Sequence, residues 1–326
     1  MTPRWALVVF IIIVVMLAAV WRDQGSTGSD SGQQKLFPEL QGHLGELGAI
    51  EVLSQPGKVT LLLEENRWVV AERHHYQADF AKINTLVEAL VKAKLVERKT
   101  AKPANHRLLG LDDLATQASQ ASQARRVSGV SGEYEFSVLI GNQSDLRMGS
   151  FVRRESEDQV WLTDVVLNPT SEAPLWLDSI ILNVAERDVL SAEFFSSQGE
   201  SRLRAYKTEA AENWQLAGAY EGLPLKYSTI VNAIGRALIN LRLVDVALHD
   251  PDRWKTSRSV KFQLKDEDTV TIRVVDVQGQ YWLRVENTAS LPDQAKWDYQ
   301  IERTLYDEFV KTAVDYLQEQ DEPGQQ

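Results

Sequence analysis

The sequence predicts an α+β fold class: an N-terminal transmembrane helix followed by two tandem repeats, each an antiparallel sheet with a packed helix. Three observations carry that expectation. Residues 5–21 form an uncharged apolar run, the stretch from Ile50 alternates apolar and polar residues before switching to a helical period, and the same order returns from Ala192. The chain has 326 residues, 44% of them apolar, which is enough for two packed cores. The expected layout is a cytoplasmic N-terminus at 1–4, a transmembrane anchor at 5–21, a flexible linker at 22–46, a first α+β repeat at 47–188, a second with a closing helix at 189–320, and a polar tail at 321–326.

The run from Trp5 to Trp21 is dense in Val, Ile and Leu. As a helix, about 17 residues cover roughly 25 Å, enough for a hydrocarbon core whose flanks adapt. Trp5 and Trp21 sit where interfacial aromatics belong. Arg4 precedes the run, while Arg22 behind it is offset by Asp23, so the charge bias puts the N-terminus in the cytoplasm and the bulk of the chain outside the inner membrane. A cleaved signal peptide is the rival reading, but "MLAAVW" offers no small-x-small site. With no cysteine there is neither a lipobox nor a disulfide. Residues 24–34, "QGSTGSDSGQQ", have the composition of a flexible tether.

The repeat begins with three short strands over 50–70, with turns at Pro56-Gly57 and Glu65-Asn66. A helix follows, capped by Asp79 and showing Ile83, Leu86, Val87, Leu90 and Val91 on one face. From Ala192 a strand, a turn at Gln198-Gly199 and two further strands precede a second expected helix, with Ile230, Ile234, Leu238 and Leu241 on its apolar face. Trp68 then matches Trp214, Asn84 matches Asn232, Leu86 matches Ile234 and Leu90 matches Leu238. Hairpin patterns close both copies, with Trp161 and Trp282 in strands and Trp176 and Ile180 matching Trp297 and Ile301. The "ATQASQASQA" run at 115–124 reads as an exposed connection, and Tyr299, Ile301, Leu305, Phe309, Ala313 and Leu317 as an amphipathic closing helix.

These elements carry a family resemblance. The N-terminal run, "ENRWVV" before a helix ending in "LVE", "LLGLDD" at Leu108 to Asp113, "YEFSVLIGN", and the second "NWQL" with its helix together resemble the bacterial family called domain of unknown function 4340. The resemblance implies a membrane-anchored extracytoplasmic protein, often encoded beside an ABC transporter ATPase, its permease and a gliding-motility-type auxiliary protein. It implies no catalytic residues. The chain departs from the family pattern in Leu109-Gly110-Leu111 and in the inserted ASQ run.

Candidate chemistry is sparse. His74 and His75 invite a metal or general-base reading, yet adjacent residues of a regular strand do not face one ion, and helical metal pairs favour a spacing of four. His43, His106 and His249 stand alone in sequence and read as structural. The acidic clusters at 112–113, 155–158 and 266–268 fit solvated turns and lack the EF-hand pattern. There is no GxSxG, no P-loop, no GxGxxG and no cysteine nucleophile. The sequence therefore names no catalytic, cofactor-binding or metal residue and no cofactor. The paired tryptophans read as core anchors, with an aromatic ligand row as the other possibility.

The net charge of -11 argues against a nucleic-acid partner. The expected function is a non-enzymatic, single-pass membrane-anchored extracytoplasmic accessory or scaffold protein. Its partners would be the bacterial inner membrane through residues 5–21 and an ABC transporter permease or auxiliary subunit. The alternatives are a cell-envelope glycan- or peptide-binding module and, behind it, an extracytoplasmic hydrolase.

Overall fold

The computed structural model describes residues 34–55, 57–112, 123–146, 148–265, 268–286 and 292–318. Among the described residues strands dominate, in sheets of ten, eight and two strands with antiparallel pairing. Among the described residues only two α-helices reach eight residues, Phe80–Lys92 and Arg303–Val310. This corrects the α+β expectation of two sheet-plus-helix repeats: the chain is mainly β, and its sheets are larger than that layout allows. The expected second helix is the cause. Its residues form one short helix, Asn232–Gly235, set among turns. The closing helix is also shorter than its pattern, because Tyr299 and Ile301 lie in the strand Trp297–Ile301. The N-terminal transmembrane helix is not supported either: residues 5–21 lie outside the described residues, and among these no helix is long and apolar enough to cross a membrane.

The chain divides into two units that interleave in sequence. The first holds residues 1–58 and 83–171, the second 59–82 and 172–326.

In the first unit the strands Leu47–Ser54, Arg125–Ser131, Tyr134–Gln143, Ser150–Arg154, Val160–Thr163 and Lys94–Arg98 follow one another across the sheet. Ile83, Leu86, Val87, Leu90 and Val91, the apolar face read from sequence, are buried. Asp79 caps that helix, its Oδ1 accepting from Ala81 N at 3.0 Å and Lys82 N at 3.3 Å. The end of the segment expected as linker is ordered. Gln34–Lys35 pairs with Lys94–Leu95, and Leu36, Phe37 and Leu40 are buried. The Arg154 guanidinium fixes this entry by donating to the Leu36 carbonyl. Most of the ASQ run lies outside the described residues, but Ala124 at its end is buried in a cluster with Leu111, Leu139 and Val160.

In the second unit the strands Val189–Phe195, Arg258–Leu264, Thr269–Val277, Gln280–Glu286, Trp297–Ile301 and Asp245–Leu248 lie side by side in that order. This is the strand order of the first unit, with two tryptophan pairs shifted from the sequence matching: the strand carrying Trp297 takes the place of the strand carrying Trp161, not of the Trp176 segment, and the strand carrying Trp282 takes the place of Ser150–Arg154.

The hairpin joining Gly57–Glu64 to Arg67–Val70 turns at Glu65 and Asn66, both with positive φ, 47° and 66°. That is the mirror-image two-residue turn, which favours Asn-Gly. Changing Glu65→Asn together with Asn66→Gly should raise stability by about 1 kcal/mol. The expected reading is a higher denaturant midpoint at unchanged slope. An unmoved midpoint would show that these backbone angles carry no strain.

Candidate functional site

The strand Trp297–Ile301 has two distinct faces because its side chains alternate. Trp297 and Tyr299 point one way and Asp298 the other. Both faces lie within the second unit.

On the first face is a cleft of about 300 Å³. Tyr76, Trp297 and Tyr299 form its aromatic wall, with Tyr76 edge-on to Trp297 at 5.1 Å and to Tyr299 at 6.3 Å between ring centres. Arg67, His75, Gln77, Asp178, Gln294 and Lys296 supply polar groups around it. Burial pushes the Tyr76 hydroxyl well above the ordinary phenol range, and the Asp178 carboxylate adds to the shift. Burial does the same to Tyr299, with Tyr76 contributing next. Both phenols therefore stay protonated, and they can donate or accept hydrogen bonds but cannot serve as bases near neutral pH.

Several bonds hold the cleft in shape. Arg73 grips Asp245 with both ends of its fork, Nε to Oδ1 at 2.6 Å and a terminal nitrogen to Oδ2 at 2.9 Å. Asp178 N donates to the Gln77 carbonyl at 3.0 Å, and the Asp178 side chain accepts from Ile180 N at 3.3 Å and from Gln77 Nε2 at 3.4 Å. Gln294 Nε2 donates to the Ile181 carbonyl at 2.7 Å, which leaves its buried Oε1 without a protein partner.

On the opposite face Asp298 is fully buried. Its carboxylate accepts from Arg253 at 2.6 Å, Asp250 N at 3.0 Å, Trp254 Nε1 at 3.0 Å and Arg284 at 3.4 Å, and it lies 2.9 Å from His249 Nδ1. Arg253 also stacks over Trp282 at 3.9 Å. Every lone pair of the carboxylate is engaged, so the cluster reads as an internal tie and not as reactive chemistry.

The structure sorts the residues singled out from sequence. His74 and His75 form a tight turn with φ of 55° and 61°. His74 is exposed, while His75 lines the cleft and meets Glu64 at 2.9 Å. His43 stacks on Tyr134, His106 is buried with Nε2 2.9 Å from the Asp158 carbonyl, and His249 joins Asp298. Among the described residues no three His, Cys, Asp or Glu are placed to hold a metal ion. Of the acidic clusters, Asp113 and residues 266–267 lie outside the described residues. Trp176, Trp214 and Trp282 are buried, whereas Trp68, Trp161 and Trp297 are only half-buried. Sequence reasoning passed over Tyr76, Asp178 and Asp298. The alternation in "WDYQI" marks a two-faced strand and is the one local sign that could have found Asp298.

No curated protein and no solved structure matches the chain. The family described as domain of unknown function (DUF4340) matches residues 68–267, which include Tyr76 and Asp178 but stop short of Trp297. That span is more than half of the chain and agrees with the resemblance read from its motifs, and the chain belongs to this family.

Proposed function

We propose that the chain is a non-enzymatic accessory protein of the bacterial cell envelope, acting on the extracytoplasmic side beside an ABC-type transport system and holding a polar ligand in the cleft of its second unit. The observation that carries this reading is the cleft, where ring faces stand beside convergent amide, carboxylate and guanidinium groups. Such a mixture of apolar surface with a few placed polar groups is the usual make-up of a ligand site. The shifted groups in it are phenols locked in their neutral form, which suits binding better than proton transfer. The extracytoplasmic placement is supported by the apolar run 5–21 and the charges around it, and the transport association by what the family resemblance implies.

Crosslinking in living cells tests both parts. Purification of the crosslinked full chain is expected to bring down a permease subunit. A photoreactive residue at Gln77, exposed at the cleft, should capture a ligand that the same residue at exposed Glu200 does not. Identical capture from the two positions would sink the ligand reading, and failure to recover any transport subunit would sink the transport reading.

A further inference from the structure

The cleft must recognise its ligand through side chains, because the backbone around it is already engaged. Trp297–Ile301 is paired on both sides, with Gln280–Glu286 and with Asp245–Leu248. Tyr76–Gln77 pairs with Val69 and Val70, and the Gln77 carbonyl accepts from Asp178 N. A peptide that binds by adding a strand needs a free row of N–H and C=O groups, and this cleft presents none among the described residues.

What it presents instead suits a sugar. Asp178, held by Ile180 N and Gln77 Nε2, offers carboxylate oxygens at the cleft lining. Each oxygen of a carboxylate has a second lone pair beyond the one bond it already accepts, and that position can take a hydroxyl. Half-buried Trp297 supplies a ring on which the C–H face of a pyranose can lie. Arg67 adds a charge preference. It is exposed at the cleft, and among the described residues its guanidinium has no carboxylate partner, whereas Arg73 is taken by Asp245. The chain as a whole is acidic at -11, but repulsion from distant carboxylates is screened beyond about 8 Å at physiological salt. A local guanidinium can then decide the outcome.

We propose that this cleft binds an acidic saccharide, with Arg67 pairing the sugar carboxylate, Trp297 carrying the C–H face, and Asp178 reading hydroxyls. The proposal rests on the reading of the cleft as a ligand site.

The test is binding of the purified full chain to an array of envelope saccharides in which each uronic-acid oligomer stands beside its methyl ester, with short peptides as a third set. The acid should bind about tenfold more tightly than its ester, in line with a charge-assisted fork. Arg67→Ala should bring acid and ester to equal affinity, and Arg67→Lys should retain part of the difference. Trp297→Ala should weaken both alike, and so should Gln77→Trp, which fills the cleft from an exposed position and does not depend on Trp297 for folding. Equal binding of acid and ester by the unaltered chain overturns the acidic assignment while leaving the cleft reading standing, provided Gln77→Trp still weakens binding. Saccharide binding that survives Gln77→Trp overturns both, as does a lack of binding to every member of the array. Preference for peptides overturns the saccharide assignment alone.

Discussion

Replacing Asp298 with alanine should lower the stability of the second unit by about 3–5 kcal/mol, the range expected when one partner of a buried charge cluster is removed. The reason is what stays behind. The side chains of Arg253 and Arg284 are largely buried, and the Trp254 indole N–H and Asp250 backbone N–H also lose their acceptor. Asp298→Asn keeps the shape and one acceptor oxygen but turns an amide toward the guanidinium groups, so it should fall between the parent and the alanine variant. Urea unfolding followed by near-ultraviolet circular dichroism measures the loss, since Trp254 and Trp282 pack together beside this cluster. A change below about 1 kcal/mol would place Asp298 in the range of solvated ion pairs and refute its role as an internal tie. The other half of the cluster can be probed separately. Arg253→Met keeps apolar contact with Trp282 while removing the charge, and its effect should be strongly non-additive with that of Asp298→Asn.

Gly235→Ala should be the second large effect, about 2–3 kcal/mol for a single added methyl group. A Cβ at this position would collide with Nε1 and Cε2 of the Trp214 indole. The indole cannot retreat, because Trp214 is only 1% exposed. The same geometry supplies a rescue. Trp214 Nε1 is buried without a hydrogen-bond partner, so Trp214→Phe removes an unsatisfied donor and shortens the ring that the added methyl group meets. Combined with Gly235→Ala it should recover at least half of the loss, measured as the coupling term of a double-mutant cycle. Additive losses would mean that the alanine acts on the backbone of the short helix and not through the ring.

The fate of the two expected helices shows what could be read from sequence. Phe80–Lys92 was legible because cap, period and helix formers agree: Asp79 stands before it, and its apolar residues fall three and four apart. The second segment shows nearly the same spacing, and Ile234, Leu238 and Leu241 are indeed buried. It nevertheless breaks into turns. Gly235 is kept small by Trp214, Asn240 takes a left-handed conformation at φ 49°, and the Asn232 side chain is committed to the Trp214 backbone N–H and to Asn213. Burial could thus be read from the period, while the helix was lost to three local commitments that a period does not report. The cleft was illegible for a different reason. Tyr76, Asp178 and Trp297 lie far apart in the chain, and none carries a motif around it. Only the pairing of Trp297–Ile301 between Gln280–Glu286 and Asp245–Leu248 sets the aromatic face that Tyr76 meets.

The interleaving of the units also sets an order of events during synthesis. The first unit has all its strands once residue 171 has been made, although the piece Val59–Lys82 in its middle belongs elsewhere. That piece waits for Trp297 and Tyr299, made more than two hundred residues later, before Tyr76 meets its ring partners. At about 5–20 residues per second the wait is roughly 10–40 s, during which the Tyr76 ring lacks its aromatic neighbours. Any pause in translation of the last third would lengthen the interval before the aromatic wall of the cleft is complete.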